Sequence, residues 1–279
     1  MKNDYLYTFL LKYPLFPSVA LWRGGEARLF AKLDLEEPIL DLGCGNGYFA
    51  KVALNKRIHT GCDKDFPQAR RARSSGAYQH TMVGDVCDLP FKDRSFDTII
   101  CNCVLEHVQD VGRTLQEVFR VLAPGGMFVF TVPTEKFNEW FYLSWLLRKM
   151  RLSRLAKNQI ERYNRFQFHY HICSVHEWSV RLREAGFHVE HYQYYAPQAF
   201  QILASALDDI QHIVGRLIVR KESSSERCTT QMSGWAANHP FARIAARFWW
   251  YLTCPFYRIE SSGSSGGAAV LVQARKSIS

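Results

Sequence analysis

Apolar residues along the chain follow two spacings: short continuous runs, which predict buried strands, and a three-to-four-residue spacing, which predicts helices. Within 38–50 an apolar run, a glycine-rich turn and a helical pattern follow one another, so this stretch is predicted to fold as strand, tight turn and helix. The unbroken run at 95–103 is typical of a strand buried on both faces of a parallel sheet. Further strands are predicted at 57–63, 77–83, 127–132, 187–195 and 268–274, and helices at 66–75, 114–122, 175–185 and, with breaks at Pro14 and Pro17, 5–33.

Two segments interrupt this alternation and are predicted to form a helical cap. Residues 135–168 begin with an aromatic, mostly apolar helix that is followed by a basic tract. This pattern suits a lid over an apolar pocket or a helix on a membrane surface, with plain packing on the core as the alternative. Residues 196–267 contain an amphipathic stretch (202–219), a Ser-rich link (223–230), an aromatic segment (241–252) and a Ser/Gly run (261–267).

Composition narrows the class of protein. The chain has 279 residues, of which 47% are hydrophobic, enough for one large domain or for a domain with a substantial insertion. It contains no apolar run near the roughly eighteen residues that a spanning helix needs, and no secretory signal is visible. We therefore expect a cytoplasmic protein, with peripheral contact at a membrane left open.

Charge and cysteine content point to no nucleic acid or metal partner. The formal net charge is +9, but the basic residues are dispersed apart from short clusters at 70–73 and 148–151. A solvated basic surface is favoured over a nucleic-acid interface. The eight cysteines are scattered without Cys-x-x-Cys pairs, so we interpret them as thiols packed as small hydrophobes and expect no metal site.

The glycines after the first predicted strand carry the first chemical signal. They read Asp41-Leu42-Gly43-Cys44-Gly45-Asn46-Gly47, which lacks the lysine of a phosphate-binding P-loop and the Gly-x-Gly-x-x-Gly spacing of a dinucleotide site. Glycine permits positive φ and close approach of a ligand to the backbone. The stretch resembles the Asp-x-Gly-x-Gly-x-Gly signature of class I S-adenosylmethionine (SAM)-dependent methyltransferases. The alternative is a turn that is glycine-rich only for packing.

Further segments resemble the same family in the same order. Gly84-Asp85 followed by Leu89-Pro90-Phe91, Leu105-Glu106-His107-Val108 and Arg120 to Gly126 match its later motifs, in the small-molecule, methyltransferase type 11-like group. The resemblance implies an α/β fold: a Rossmann-like, seven-stranded, doubly wound sheet whose last strand is antiparallel, with a helical cap from the insertions. It divides the chain into an N-terminal helical flap (1–36), a SAM-binding core (37–134, 169–195 and 268–279) and the cap (135–168 and 196–267).

The resemblance also implies which residues bind SAM. Asp63 follows Asp41 by 22 positions at the end of the second strand, where an acid accepts hydrogen bonds from ribose hydroxyls; capping of the next helix is the alternative. By the family pattern Asp85 and Val86 bind adenine. The full set of cofactor-binding candidates is Asp41, Gly43, Cys44, Gly45, Asn46, Gly47, Asp63, Lys64, Asp85, Val86, Cys101 and Asn102.

The sequence indicates the residues that act on the methyl acceptor less clearly than those that bind SAM. Methyl transfer from a sulfonium needs alignment, exclusion of water and, for some acceptors, removal of a proton. His107 is the first candidate for that base and Glu106 the second, while His169, Tyr170 and His171 are weaker ones. The aromatic cap favours a small hydrophobic or amphipathic substrate, such as an isoprenoid, lipid or secondary metabolite. A tRNA or other RNA methyltransferase, or a silent SAM-binding partner protein, are the alternatives.

Overall fold

The computed structural model describes residues 4–54, 56–218, 240–259 and 266–278. The predicted Ser-rich link at 223–230 and most of the predicted Ser/Gly run at 261–267 lie outside these residues. In chain order the helices are α1 (Tyr5–Lys12), α2 (Pro17–Phe30), α3 (Tyr48–Ala53), α4 (Phe66–Ser75), α5 (Val111–Val121), α6 (Glu135–Glu139), α7 (Tyr142–Lys149), α8 (Ser153–Gln167), α9 (Val175–Glu184), α10 (Gln198–Ile218) and α11 (Ala242–Tyr257), with a 3-10 helix at Leu105–His107.

The chain divides into two compact units. The sheet unit comprises Leu29–Glu135, Phe168–Tyr194 and Ala269–Ser279. The helical unit comprises Met1–Arg28, Lys136–Gln167 and Tyr195–Ala268. None of the described helices is long and apolar enough to cross a membrane.

The described strands of the sheet unit form one mixed sheet. Their order is β3-β2-β1-β4-β5-β7-β6; the strands from β3 to β5 in this order pair in parallel, and β7 pairs antiparallel with β5. The predicted Rossmann-like fold with a last antiparallel strand is therefore confirmed. The strands are β1 (Ile39–Leu42), β2 (Ile58–Asp63), β3 (Tyr78–Val83), β4 (Phe96–Asn102), β5 (Leu122–Pro133), β6 (Phe187–Tyr195) and β7 (Ala269–Lys276).

The core of the sheet unit explains why the apolar runs are continuous. The central strands β1 and β4 are buried on both faces, and the side chains of Val118 and Trp178, from α5 and α9, pack into the same apolar cluster. Several helices begin at a residue whose side chain caps them. Asp65 accepts a hydrogen bond from the amide of Gln68 at the start of α4, and Ser174 and Glu177 form a capping box at α9.

Helix α5 and strand β5 have bounds that differ from the predicted ones. Helix α5 starts three residues before the predicted 114–122, because the Asp110 carboxylate caps it through the amide of Arg113. Strand β5 is longer than the predicted 127–132, so the Pro-Gly-Gly turn lies inside it. The pairing register with β4 shifts there, and Gly125 has a φ of 73°, as expected for a bulge.

The predicted single helix at the start of 135–168 is wrong, since this segment folds as α6, α7 and α8. Two of its phenylalanines pack inside the helical unit. The ring of Phe141 lies 4.3 Å from that of Tyr163 and 6.0 Å from that of Phe137, and both phenylalanines are buried. Packing within this unit therefore accounts for these two aromatic positions.

Candidate active site

The turn between β1 and α3 is built from three glycines with positive φ. The angles are 68° at Gly43, 52° at Gly45 and 75° at Gly47, which only glycine adopts without strain. A Cβ at Gly43 would overlap the side chain of Val104, and one at Gly47 would lie 2.6 Å from the Ser75 hydroxyl. A Cβ at Gly45 would meet nothing within 4 Å. Two glycines are therefore required by packing, while the middle one leaves bare backbone beside open space, which fits a ligand held against the chain.

Neighbouring strands hold this turn in place. The amides of Gly43 and Cys44 both donate to the carbonyl of Cys62 on β2, at 2.8 and 3.1 Å. The Asn46 side chain accepts a hydrogen bond from the Tyr48 amide, the first of α3, at 3.0 Å. Burial raises the pKa of the Cys44 thiol, with smaller contributions from nearby carboxylates, so this thiol stays neutral and serves packing.

Asp63 joins the end of β2 to the glycine turn. Its Oδ2 accepts a hydrogen bond from the Gly45 amide at 2.8 Å, and its Oδ1 accepts one from the Asp65 amide at 2.8 Å. Each carboxylate oxygen has a second lone pair, so both can accept further hydrogen bonds from a ligand hydroxyl. The carboxylate thus stands next to the open glycine, as the ribose-binding prediction requires. Lys64, the adjacent candidate, is exposed.

Asp41 occupies a different environment from Asp63. Its side chain is buried, and the hydroxyl of Tyr78 donates to its Oδ2 at 2.6 Å. Burial raises the pKa of Asp41 to about 7, opposed by the Tyr78 hydrogen bond and reinforced by the charge of Asp63. Sequence reasoning missed Tyr78. The signal was Gly61, because a Cβ at this β2 position would lie 2.9 Å from the Tyr78 ring that crosses it.

The candidates for the adenine end follow β3. Asp85 is exposed, and its Oδ1 accepts a hydrogen bond from the Cys87 amide at 2.9 Å. Val86 is half-buried against the apolar core. The Gly84 amide donates to the carbonyl of Asp63 at 3.2 Å, so the two predicted acidic ligands come from adjacent strand ends. This proximity is compatible with one ligand that reaches both acids.

The end of β4 carries the last two cofactor candidates. Cys101 is fully buried within the apolar core, so any ligand contact at this position would involve its backbone. Asn102 accepts a hydrogen bond from the Thr131 hydroxyl at 2.6 Å. Cys103, which follows, has a φ of 53°, an uncommon value for a residue with a side chain. The structure thus places a strained turn at the sheet edge from which ligands of α/β folds are bound.

The 3-10 helix after β4 brings the two predicted catalytic residues against a distant loop. The carbonyl of Glu106 accepts a hydrogen bond from the Tyr170 amide at 2.7 Å. His107 lies 3.4 Å through Nδ1 from the carbonyl of Phe168, and its ring centroid is 5.0 Å from that of His169. The Arg181 guanidinium lies 3.1 Å from His171 Nδ1. The five candidates of the acceptor side are therefore gathered in one place, although 61 positions separate His107 from Phe168.

A hydrogen bond from His107 to the Phe168 carbonyl needs a proton on Nδ1, because a carbonyl only accepts, and in that tautomer Nε2 is the basic nitrogen. Nε2 is 4.0 Å from the buried Glu106 carboxylate. Burial, followed by the neighbouring His107, lowers the pKa of His169 to about 3. His169 is thus neutral at physiological pH. Within the described residues, no group of three His, Cys, Asp or Glu side chains could hold a metal ion.

Comparison with known proteins agrees with the family resemblance of the sequence motifs. Residues 40–130 match a family described as "Methyltransferase domain". They belong to the class I SAM-dependent methyltransferases. A SAM-dependent methyltransferase from Thermotoga maritima has the same fold, with a TM-score of 0.55 at 19% identity over 97% of this chain and 99% of its own. The predicted family is confirmed, and the cofactor of that family is SAM.

Two curated relatives of this methyltransferase domain differ in their named substrates. A Bos taurus protein named "Probable tRNA methyltransferase 9B" is 41% identical over 108 residues, covering 37% of this chain and 23% of the relative. Malonyl-[acyl-carrier protein] O-methyltransferase of Pseudescherichia vulneris is 35% identical over 114 residues, covering 40% of this chain and 45% of the relative. The chain thus spans less than half the length of these relatives.

Proposed function

We propose that this chain transfers a methyl group from SAM to a small molecule with a sizeable apolar portion, such as an isoprenoid, a lipid or a secondary metabolite. The observation that carries the proposal is the contact between the Asp63 carboxylate and the Gly45 amide, beside the open face of the glycine turn. SAM supplies an electrophilic methyl group on its sulfonium. The residues of this chain bind and orient SAM and remove a proton from the acceptor.

Binding is assigned to the strand ends of the sheet unit. Asp63 accepts hydrogen bonds from the ribose hydroxyls, using the lone pairs that remain beside the Gly45 and Asp65 bonds. Asp85 and the backbone of Val86 hold the adenine end. Gly45 lets the methionine portion approach the chain, because no side chain occupies that space.

Proton removal from the acceptor is assigned to His107. Its Nε2 takes the proton, while the Phe168 carbonyl keeps Nδ1 protonated and fixes the ring. The buried Glu106 carboxylate, 4.0 Å from Nε2, stabilises the imidazolium that results. Glu106 acts in this scheme as the positioning and charge-stabilising partner, and His107 as the base.

An apolar acceptor is favoured by two observations. Aromatic residues make up 14% of the chain, and the helical unit has apolar side chains in contact with solvent, among them Leu143 and Leu155. A tRNA acceptor is the second candidate, because the relative named "Probable tRNA methyltransferase 9B" is 41% identical over the matched segment and the net charge is +9. A silent SAM-binding partner protein is the third.

Calorimetry with S-adenosylhomocysteine tests the cofactor assignment. Asp63→Ala should weaken binding about 10- to 150-fold, the range expected for loss of hydrogen bonds to a charged group. Asp88→Ala is the matched control, since it removes a nearby exposed acid from the same sheet edge and should leave binding within about twofold. Absence of binding to the native protein, or equal losses in both variants, would contradict the assignment.

Transfer of labelled methyl from SAM in a cell extract then identifies the acceptor class. RNase-insensitive label in organic-solvent extracts supports the small apolar acceptor. Label in tRNA supports the second candidate. Tight binding of S-adenosylhomocysteine with no labelled product in any fraction supports the silent partner protein.

A further inference from the structure

Helix α11 presents an apolar stripe to solvent. The side chains of Phe241, just before the helix, and of Ile244, Phe248, Tyr251 and Leu252 are 46 to 69% exposed. At 3.6 residues per turn their positions fall within an arc of about 100°. Five large apolar side chains on one face form a patch of the kind that marks an interaction surface, whereas single exposed apolar residues need no explanation.

The opposite face of α11 is firmly packed, so the direction of the stripe is fixed. Ala246, Thr253 and Tyr257 are buried, and α11 packs against α1 within the helical unit. The indole Nε1 of Trp250 donates to the Asp4 carboxylate at 2.6 Å. The helix therefore has two apolar faces, one packed inside the protein and one exposed to solvent.

The charges of this helix have a single sign. From Phe241 to Ile259 the sequence contains three arginines and no acidic residue. Arg243 and Arg247 are exposed and lie along one border of the stripe, about 40 to 80° from Tyr251 around the helix axis. A row of cations beside an exposed apolar face is the pattern of helices that lie in the interface of an anionic bilayer.

We propose that α11 docks this protein onto the surface of a membrane that contains anionic phospholipids. The apolar stripe inserts among the acyl chains near the headgroups, and Arg243 and Arg247 contact lipid phosphates. A second copy of the chain is disfavoured as the occupant, because the stripe of another α11 would bring no carboxylate to these arginines. The proposal concerns where the protein acts and is independent of its methyl acceptor.

Co-sedimentation of the full chain with vesicles tests the proposal. Binding is expected to phosphatidylcholine vesicles that contain about a third phosphatidylglycerol, and to be much weaker to pure phosphatidylcholine. Phe248→Ser with Tyr251→Ser should reduce binding at least about tenfold, because two inserted apolar side chains are lost. Arg243→Gln with Arg247→Gln should reduce it roughly 30-fold on anionic vesicles only, at about a tenfold change per 1.4 kcal/mol and about 1 kcal/mol per arginine.

A matched control separates this helix from general surface stickiness. Met150→Ser with Leu155→Ser removes two apolar side chains of similar exposure, near or on α8, and should leave vesicle binding unchanged. Thermal unfolding of each variant checks that the fold is intact. Equal loss in the control and stripe variants would overturn the proposal. So would a stripe variant that binds vesicles like the native protein while native dimers become monomers in light scattering, since the stripe would then be a dimer interface.

Discussion

Two turns at the same edge of the sheet differ in what they present to a ligand. The turn after β1, at 43–47, places bare backbone beside open space and uses glycines with positive φ to do so. The turn after β4, at 103–107, carries side chains instead and has a strained Cys103 before its short 3-10 helix. The two turns touch, because Gly43 leaves the space that the Val104 side chain fills. One turn is thus shaped to accept a ligand, and the other to present reactive groups.

This difference has a consequence for mutations. In the glycine turn any added atom is harmful, through the backbone, the neighbouring turn or the ligand. The backbone of the turn after β4 already carries side chains. Replacing one of these side chains should therefore change the catalysed reaction more than the stability of the fold. Mutations in the glycine turn should therefore reduce ligand binding and stability, and mutations in the turn after β4 should reduce the reaction rate.

Replacement of the proposed base should have the largest effect. His107→Gln should lower kcat about 10²- to 10⁴-fold, the usual contribution of a general base, while S-adenosylhomocysteine binding measured by calorimetry stays within about twofold. His169→Gln is the control, since His169 is half-buried and its lowered pKa keeps it neutral. A larger loss of kcat in the His169 variant than in the His107 variant would reverse the assignment.

Within the glycine turn, adding a methyl group at two positions should separate folding from binding. Gly43→Ala should lower the free energy of unfolding by about 2 to 5 kcal/mol, from left-handed backbone strain and overlap with Val104. Gly45→Ala should cost about 1 to 2 kcal/mol, from strain alone, yet should abolish measurable cofactor binding because its Cβ enters the ligand space. Denaturant unfolding and calorimetry give the two quantities. Native-like binding by the Gly45 variant would show that the ligand lies elsewhere.

The glycine turn could be predicted from sequence because its function depends on what is missing. Few backbone conformations fit glycines at alternate positions after an apolar strand. All of these glycines are close together in the sequence, so the local spacing is enough to predict the turn. The same holds for α4 and β6, whose observed bounds are the predicted ones. The contact of His107 with Phe168 could not be predicted, since it joins positions 61 apart through the order of the sheet. The three helices within 135–168 were also missed, because their aromatic residues follow tertiary packing.

The buried pair beneath the glycine turn should have the smallest effect, visible as a pH dependence. The pKa of Asp41 is about 7 in the folded protein against an ordinary value of 3.8, so folding retains a proton that the unfolded chain has lost between these pH values. Stability should therefore fall as pH rises from about 4 to about 7, by at most about 1.4 kcal/mol per unit. Asp41→Asn removes the titrating group, and the difference in unfolding free energy between native protein and variant should change by about 1 kcal/mol from pH 6 to pH 7.

The hydrogen bond from Tyr78 sets the size of that change. Tyr78→Phe removes the donor that stabilises the charged form of Asp41, so its pKa should rise further and the loss of stability should extend above pH 7. Chemical unfolding at half-unit steps from pH 5 to pH 9 resolves the two profiles. A native profile that already matches that of Asp41→Asn would mean that this carboxylate is ionised throughout, with water reaching it from the glycine turn. The turn would then be more open beneath its surface than the contacts of Gly43 and Gly47 imply.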